Sequence, residues 1–376
     1  MFERLKQKLA GKASAVAPLV ALHMAGRPQW TPRNYAALAR EGYAANVIGY
    51  RCVRMVAEAA ASVPLMVFAG GAEVADHPVK TLLTRPNDGQ SGREFLESLY
   101  GFLMVAGNAY AEAVLLEGSP RELYVLRPDR MKIVPSRQGW PEAFDYSVNG
   151  ANVRLAREQV LHVKLFNPLD DYYGQSPLEA AQRALDTHNA AAAWNKSMLD
   201  NAARPSGALV FTGGDGQLTQ DQFDRLKREL DANYQGAANA GRPMVLEGGL
   251  DWKEMGYSPR EMDFIAAKDG AAREVALAFG VPPMLLGIPG DNTFANYAEA
   301  NRSFWRQTVV PLTGRVLEAL AHWLEPHFGQ VAIVPDLDQV EALAADRDGL
   351  WARLEKASFL TDDEKREAVG YAPRGT

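Results

Sequence analysis

The chain is nearly devoid of cysteine, with Cys52 alone among 376 residues. One cysteine cannot form an intrachain disulfide, and it leaves a Cys-based metal site without ligands. The lack of a disulfide framework fits a reducing compartment. No uninterrupted apolar run reaches about 18 residues, so no transmembrane helix and no membrane partner are expected. Residues 15–25 (AVAPLVALHMA) follow a basic start but contain Pro18 and His23. They lead to no clear small-residue cleavage site, so no secretory signal is read there.

The motifs of common chemistries are also missing. Gly11-Lys12 lacks the upstream glycine and the following Ser/Thr of a P-loop. There is no HExxH, no EF-hand loop and no GxGxxG. Of the six histidines, His322 and His327 are five apart, a poor metal-ligand spacing, and His162 lies in an apolar strand pattern, VLHVKLF. Asp170-Asp171 and Asp362-Asp363 are adjacent pairs, which do not share one face of regular structure. Gly174-Gln175-Ser176-Pro177-Leu178 begins like a nucleophile elbow but lacks the final glycine and has proline after the serine. Ser176 reads better as a helix N-cap. The expectation is a protein that is not an enzyme, with no catalytic residue, no metal and no cofactor.

What is present is ample core material. Hydrophobic residues make up 47% and charged residues 23%, which excludes disorder and collagen-like structure. The formal net charge is -6 and is unevenly spread. Residues 1–33 carry Arg4, Lys6, Lys8, Lys12, Arg27 and Arg33 against Glu3, a net of +5, so the rest carries -11. Residues 336–367 hold ten acids against five bases. An acidic body with a basic N-terminal arm does not describe a tight nucleic-acid binder.

Periodicity predicts one helix from Tyr35 to about Ala61, then a strand at 65–68 and a short helix at 77–83. Ser91 with Glu94 forms a capping-box pattern for a helix to about Val105. Strands are expected at 108–116, 122–127, 131–135, 144–148, 153–155 and 160–166, with Asn149-Gly150 as a type I′ hairpin turn. Ser176-Pro177 opens a long helix to about Ala203. A strand at 208–211 and a helix at 219–234 follow, then strands at 243–246 and 251–254 joined through Gly248-Gly249. Ser258-Pro259 opens a helix to about Phe279. A loop at 287–294 precedes a helix from Ala295 to about Leu324. Pro311 is expected to kink that helix and Pro326 to end it. A strand at 330–334 and two acidic helices, about 338–356 and 361–369, complete an α+β chain.

The order of these segments resembles the portal proteins of tailed bacteriophages of the HK97 type, a group that includes gene transfer agent portals. Residues 46–68 (NVIGYRCVRMVAEAAASVPLMVF), 77–95 (HPVKTLLTRPNDGQSGREF), Gly107-Asn108-Ala109-Tyr110, 123–130 (LYVLRPDR) and 160–178 carry the likeness. The longest stretch is 258–283 (SPREMDFIAAKDGAAREVALAFGVPP), followed by Leu285-Leu286-Gly287, then Thr293–Glu299 and Val310-Pro311. Together they cover roughly residues 40–325.

The resemblance implies a portal fold with these parts: an N-terminal arm, 1–35; a mixed α/β wing, 36–176; a stem helix, 177–205; a small β-containing clip, 206–257; a second stem helix, 258–280; a tunnel-loop region, 281–294; a kinked helix returning to the wing, 295–335; and a helical crown, 336–376. It implies a homo-oligomeric ring, commonly a dodecamer, at one capsid vertex of a virion assembled in the bacterial host cytoplasm. Double-stranded DNA passes through such a ring during packaging and ejection, and large terminase, a head–tail adaptor and the major capsid protein are its partners. Gly290, Asp291, Asn292, Thr293 and Phe294 are then the tunnel loop. Lys196 and Lys268 are stem residues near the channel, and Arg242, Glu247, Asp251 and Lys253 dock partners on the clip. Net acidity suits a conduit, because dense Lys/Arg contacts to phosphate gain strength from counterion release. Two other readings stay open: a serine hydrolase pairing Ser176 with His162 or His188, and a DNA-binding adaptor acting through residues 1–33.

Overall fold

The computed structural model describes residues 30–200, 207–211, 219–222, 224–226, 228, 250–254, 264–290 and 294–370. The chain divides into two units, Met1–Trp30 and Thr31–Thr376, and the elements from Tyr35 onward belong to the second. The expected strand at 243–246, the helix start at Ser258-Pro259, Arg242, Glu247 and Asp291–Thr293 lie outside the described residues.

A helical turn, Tyr35–Ala37, runs into a π-helical stretch, Leu38–Ala44, and stops. Helix α1, Val47–Ala61, then starts afresh. The single helix expected over 35–61 is therefore two. Asn46 is the reason: its backbone is extended, and its side-chain oxygen accepts hydrogen bonds from Ile48 N and Gly49 N at 3.0 Å each. A capping side chain of this kind replaces the amide partners that a continuous helix would supply.

Strands β1 (Leu65–Ala69) and β2 (Ala72–Glu73) follow, then helix α2 (Pro78–Thr84), capped by His77, and α3 (Gly92–Ala106). Ser91 and Glu94 make the expected capping box. Six strands come next: β3 (Asn108–Leu116), β4 (Ser119–Leu126), β5 (Met131–Pro135), β6 (Pro141–Val148), β7 (Ala151–Ala156) and β8 (Val160–Lys164). They form two antiparallel sheets, ordered β4-β3-β8 and β5-β6-β7. Asn149 and Gly150 both have positive φ, 50° and 82°, as a type I′ turn between β6 and β7 requires.

The helix expected from Ser176 is interrupted after one turn. α4 (Pro177–Ala180) ends at Ala181, and α5 (Gln182–Asp200) continues. Strand β9 (Gly207–Phe211) pairs antiparallel with β10 (Leu250–Glu254), with Leu250 opposite Phe211. Helix α6 (Phe264–Ala278) packs along α5. Past a 3₁₀ turn at Pro283–Leu286, the chain forms α7 (Phe294–Phe304), a π-helical stretch (Trp305–Val309) and α8 (Val310–Phe328). The break foreseen at Pro311 is this π-turn. It sits directly before the proline, whose missing N–H could not serve a straight α-helix.

Pro326 does not end α8, which runs on to Phe328 and stops at Gly329. A proline so near the end removes only a bond of the final turn. Strand β11 (Val331–Pro335) returns to lie antiparallel beside β1, Leu65 opposite Pro335. Helices α9 (Ala344–Lys356) and α10 (Asp362–Ala368) close the described chain.

One large apolar core unites α1, α3, α5, α6 and α8 with the inner face of β3 and β8. Phe95, Leu99, Leu103, Val275, Leu317 and Leu320 are among its members. A smaller core of Tyr110, Met131, Ile133, Phe144, Leu155 and Val160 lies between the two antiparallel sheets.

Candidate channel and assembly elements

Helix α5 is held over its first two turns by polar side chains from distant sequence. At its start, Asp186 accepts hydrogen bonds from Thr31 N (2.9 Å) and Thr31 Oγ1 (2.5 Å), and Gln182 accepts one from Arg33 Nε (3.2 Å). Two turns later Asn46 Nδ2 donates to Asn189 Oδ1 (2.8 Å) and to His188 Nδ1 (3.2 Å). Asn189 in turn donates to Glu41 O at 3.0 Å. His188 is buried, and burial holds its pKa below the usual imidazole value. Nearby Lys268 adds to that depression, while Asp269 opposes it. A neutral ring accepting at Nδ1 agrees with this direction.

Lys268 is half-buried on α6, close enough to His188 to bias its charge. Lys196 is exposed, about 12 Å further along α5 than His188 by helical rise. The two lysines therefore share one helix pair but stand in different surroundings. The Ala-rich composition of α5 gave no apolar stripe from which this difference could be read.

The corner after α6 is tied down at two points. Gly280 has φ +64°, and its carbonyl accepts a hydrogen bond from Thr308 Oγ1 at 2.7 Å. Thr308 belongs to the π-helical stretch, so the kink in the returning helix meets the end of α6. Arg273 on α6 donates to Pro289 O, immediately before exposed Gly290. Phe294 begins α7. On the small sheet, Asp251 and Lys253 are both exposed and, two apart on β10, share one face.

The family-like segments Gly107-Asn108-Ala109-Tyr110 and Gly174-Gln175-Ser176-Pro177 meet in space. Asn108 Oδ1 accepts from Gly174 N (2.8 Å) and from His162 Nε2 (3.0 Å), while its Nδ2 donates to Ala106 O (2.9 Å) and Gly174 O (3.2 Å). His162 also stacks on Tyr110, ring centroids 4.4 Å apart. Sequence reasoning noticed the motif but not its purpose: Asn108 is a hub that welds β3 to the entry of α4.

Ser176 is only 2% exposed, and its hydroxyl accepts from Glu179 N at 3.0 Å. It is a helix cap, and a buried capping oxygen is unsuited to attack a substrate from solvent. Ser176→Ala is expected to cost about 1 kcal/mol in urea unfolding, the usual worth of a cap. A loss near zero would show the bond to be idle. Among the described residues, no group of three or more His, Cys, Asp or Glu could hold a metal ion. No helix among them is long and apolar enough to cross a membrane.

The comparisons with known proteins agree with this arrangement. The family model described as "Phage portal protein" matches residues 48–370. An uncharacterised protein of Rickettsia bellii (strain RML369-C) is 40% identical over 340 residues, covering 88% of each chain. The portal protein of Enterobacteria phage HK97 is 23% identical over 341 residues, 86% of this chain and 78% of that protein. Among solved structures, a chain from the neck of an empty gene transfer agent particle, computed with C6 symmetry, superposes with a TM-score of 0.74. The native neck, computed with C12 symmetry, gives 0.71. In both the identity is 54%, with 93% of this chain and 96% of that chain covered. The chain belongs to the phage portal protein family, and within it to the HK97 type.

Proposed function

We propose that copies of this chain close into a ring, commonly of twelve, at one capsid vertex of a virion, and that double-stranded DNA passes through its channel. The observation that carries the reading is the 54% identity, over nearly the whole chain, to a protein found in the neck of particles computed with C6 and C12 symmetry. The helix pair α5/α6, anchored by Asn46 and Thr31 rather than left loose, is the stem of such a ring. Residues 36–176 form the wing, 206–257 the clip and 336–376 the crown. The ring acts without enzymatic activity of its own, assembles in the bacterial host cytoplasm, and meets large terminase, a head–tail adaptor and the major capsid protein.

The charge pattern supports a conduit rather than a clamp. Lys196 is exposed on the stem, Lys268 is half-buried near His188, and the tunnel-loop residues Gly290, Asp291, Asn292, Thr293 and Phe294 include no lysine or arginine. Few phosphate contacts mean little counterion release and low friction on sliding DNA. Asp251 and Lys253, with Arg242 and Glu247, are the docking residues of the clip.

Negative-stain images of the purified full-length chain are expected to show rings with a central hole. A chain that stays monomeric in every condition, including alongside its capsid proteins, would overturn the reading.

A further inference from the structure

Two exposed surfaces leave large apolar side chains in water. The first is the loop after β8. Phe166 is 80% exposed and Leu169 is 85% exposed. Nothing about the loop is slack. Asn167 Oδ1 accepts from Leu169 N (3.0 Å), and Asn167 Nδ2 donates to Tyr173 O (2.9 Å). Asp170 Oδ1 accepts from Tyr172 N (2.7 Å) and Tyr173 N (3.0 Å). The Lys164 ammonium donates to Asp171 O, and Tyr172 Oη donates to Gly139 O at 2.6 Å. A backbone held this firmly keeps both apolar side chains out in water, where each forgoes its burial energy. Asp170 and Asp171 flank them, giving the knob an acidic border.

The second surface is a stripe on α1. Val47, Tyr50, Arg51 and Arg54 stand at i, i+3, i+4 and i+7, one face of the helix. Val47 is 68% exposed and Tyr50 is also exposed, its ring packed 5.1 Å from that of Tyr43. Arg51 is the most open charge beside them, its nearest carboxylate, on Glu58, 3.7 Å away.

The two surfaces are unlike in charge: Asp170 and Asp171, with the Lys164 ammonium beside them, border the first, and Arg51 and Arg54, which share the Glu58 carboxylate, border the second. That is what a ring demands. Rotational symmetry of this kind joins copies head to tail, so each protomer needs two unlike patches that fit one another. Both patches are linked to α5: the loop leads into it by way of α4, and Asn46, next to Val47, is hydrogen-bonded to His188 and Asn189 on it. We propose that Phe166 and Leu169 of one copy pack against the Val47/Tyr50 stripe of the next copy in the ring, with Asp170 and Asp171 facing Arg51. The proposal rests on the ring reading above and names its contact. Charge complementarity of this kind sets register and suppresses wrong pairings.

The test begins with Phe166→Glu/Leu169→Glu in the full chain, read by mass photometry over a concentration series, with circular dichroism to check folding. Rings are expected to need at least about tenfold more protein, a shift worth about 1.4 kcal/mol per contact. Asp171→Arg alone should weaken rings, and adding Arg51→Glu should restore them. Phe166→Cys/Val47→Cys should give a ladder of multimers with a short bismaleimide, and neither single variant should. The background is quiet, because Cys52 is buried and burial pushes its thiol up to about 12. Wild-type rings that survive the Glu pair unchanged, with no ladder from the cysteine pair, would overturn the contact and leave the ring reading intact. Variants that keep their rings but no longer enter particles would overturn it in favour of another virion protein as the occupant. A wild-type chain that never forms rings would overturn both.

Discussion

Gly174→Ala is expected to destabilise the protein by at least about 3 kcal/mol, in the range of severe overpacking, and to deplete soluble material. A Cβ on Gly174 would lie 2.2 Å from Gly107 O and 2.7 Å from both Leu165 N and Leu165 O. All three atoms are backbone, and two of them already bond each other: Leu165 N donates to Gly107 O at 2.8 Å. A side chain could rotate away from an added methyl group, but these atoms cannot move without parting β3 from the segment that follows β8. The same shift would also stretch both bonds between Gly174 and Asn108, stranding buried polar groups. Gly101→Ala is the control. Its Cβ meets nothing within 4 Å inside α3, so it should be neutral or stabilise by roughly 0.5–1 kcal/mol through helix propensity. Urea midpoints of the two variants against wild type give the answer. A loss below about 1 kcal/mol for Gly174→Ala would mean that the strands slide more freely than their hydrogen bonds suggest.

The local signals in the sequence were sound where the responsible atoms are close in the chain. Ser91 and Glu94, three apart, form the capping box, and Asn149-Gly150 turns a hairpin. Pro311 marks a break in a long helix because its missing N–H acts within one turn. Features built from distant residues left no such trace. Asn46 reads as an ordinary polar residue in a helical pattern, and only its partners on α5 explain why the helix stops there. The pairing of β1 with β11 and of β9 with β10 depends on long-range closure, which periodicity does not encode. In α5, an alanine-rich sequence has no strong apolar stripe to say which side faces in. Lys196 and Lys268 thus looked equivalent in sequence but differ in burial. The resemblance supplied the architecture, and the structure supplied the reason two of its motifs travel together: Gly107-Asn108 and Gly174 are halves of one joint.

That joint also makes stability depend on pH through His162. Burial pushes its pKa down from 6.5 to about 4, with the nearby Lys164 ammonium adding to the effect. The ring is neutral in the fold and donates through Nε2 to Asn108 Oδ1, a tautomer assigned from the amide oxygen's role as acceptor. In the unfolded chain the same imidazole takes up a proton as pH falls through about 6.5. Between there and about 4 the unfolded state holds more protons than the folded one, so acidification favours unfolding. This residue's contribution is fully present above pH 6.5 and declines as pH drops toward 4. The total is on the order of 3 kcal/mol, and below that point it changes no further. Asp145 and Glu94, whose carboxyls hydrogen bonding holds below the usual range, add their own acid dependence, common to wild type and variant. His162→Gln keeps an amide donor toward Asn108 but cannot titrate. Urea unfolding at intervals from pH 7.5 to 4 is expected to show wild type losing on the order of 3 kcal/mol more than His162→Gln across that window. Parallel pH profiles for the two proteins would mean that the ring is charged in the fold, and that its stack on Tyr110 and its bond to Asn108 hold an imidazolium.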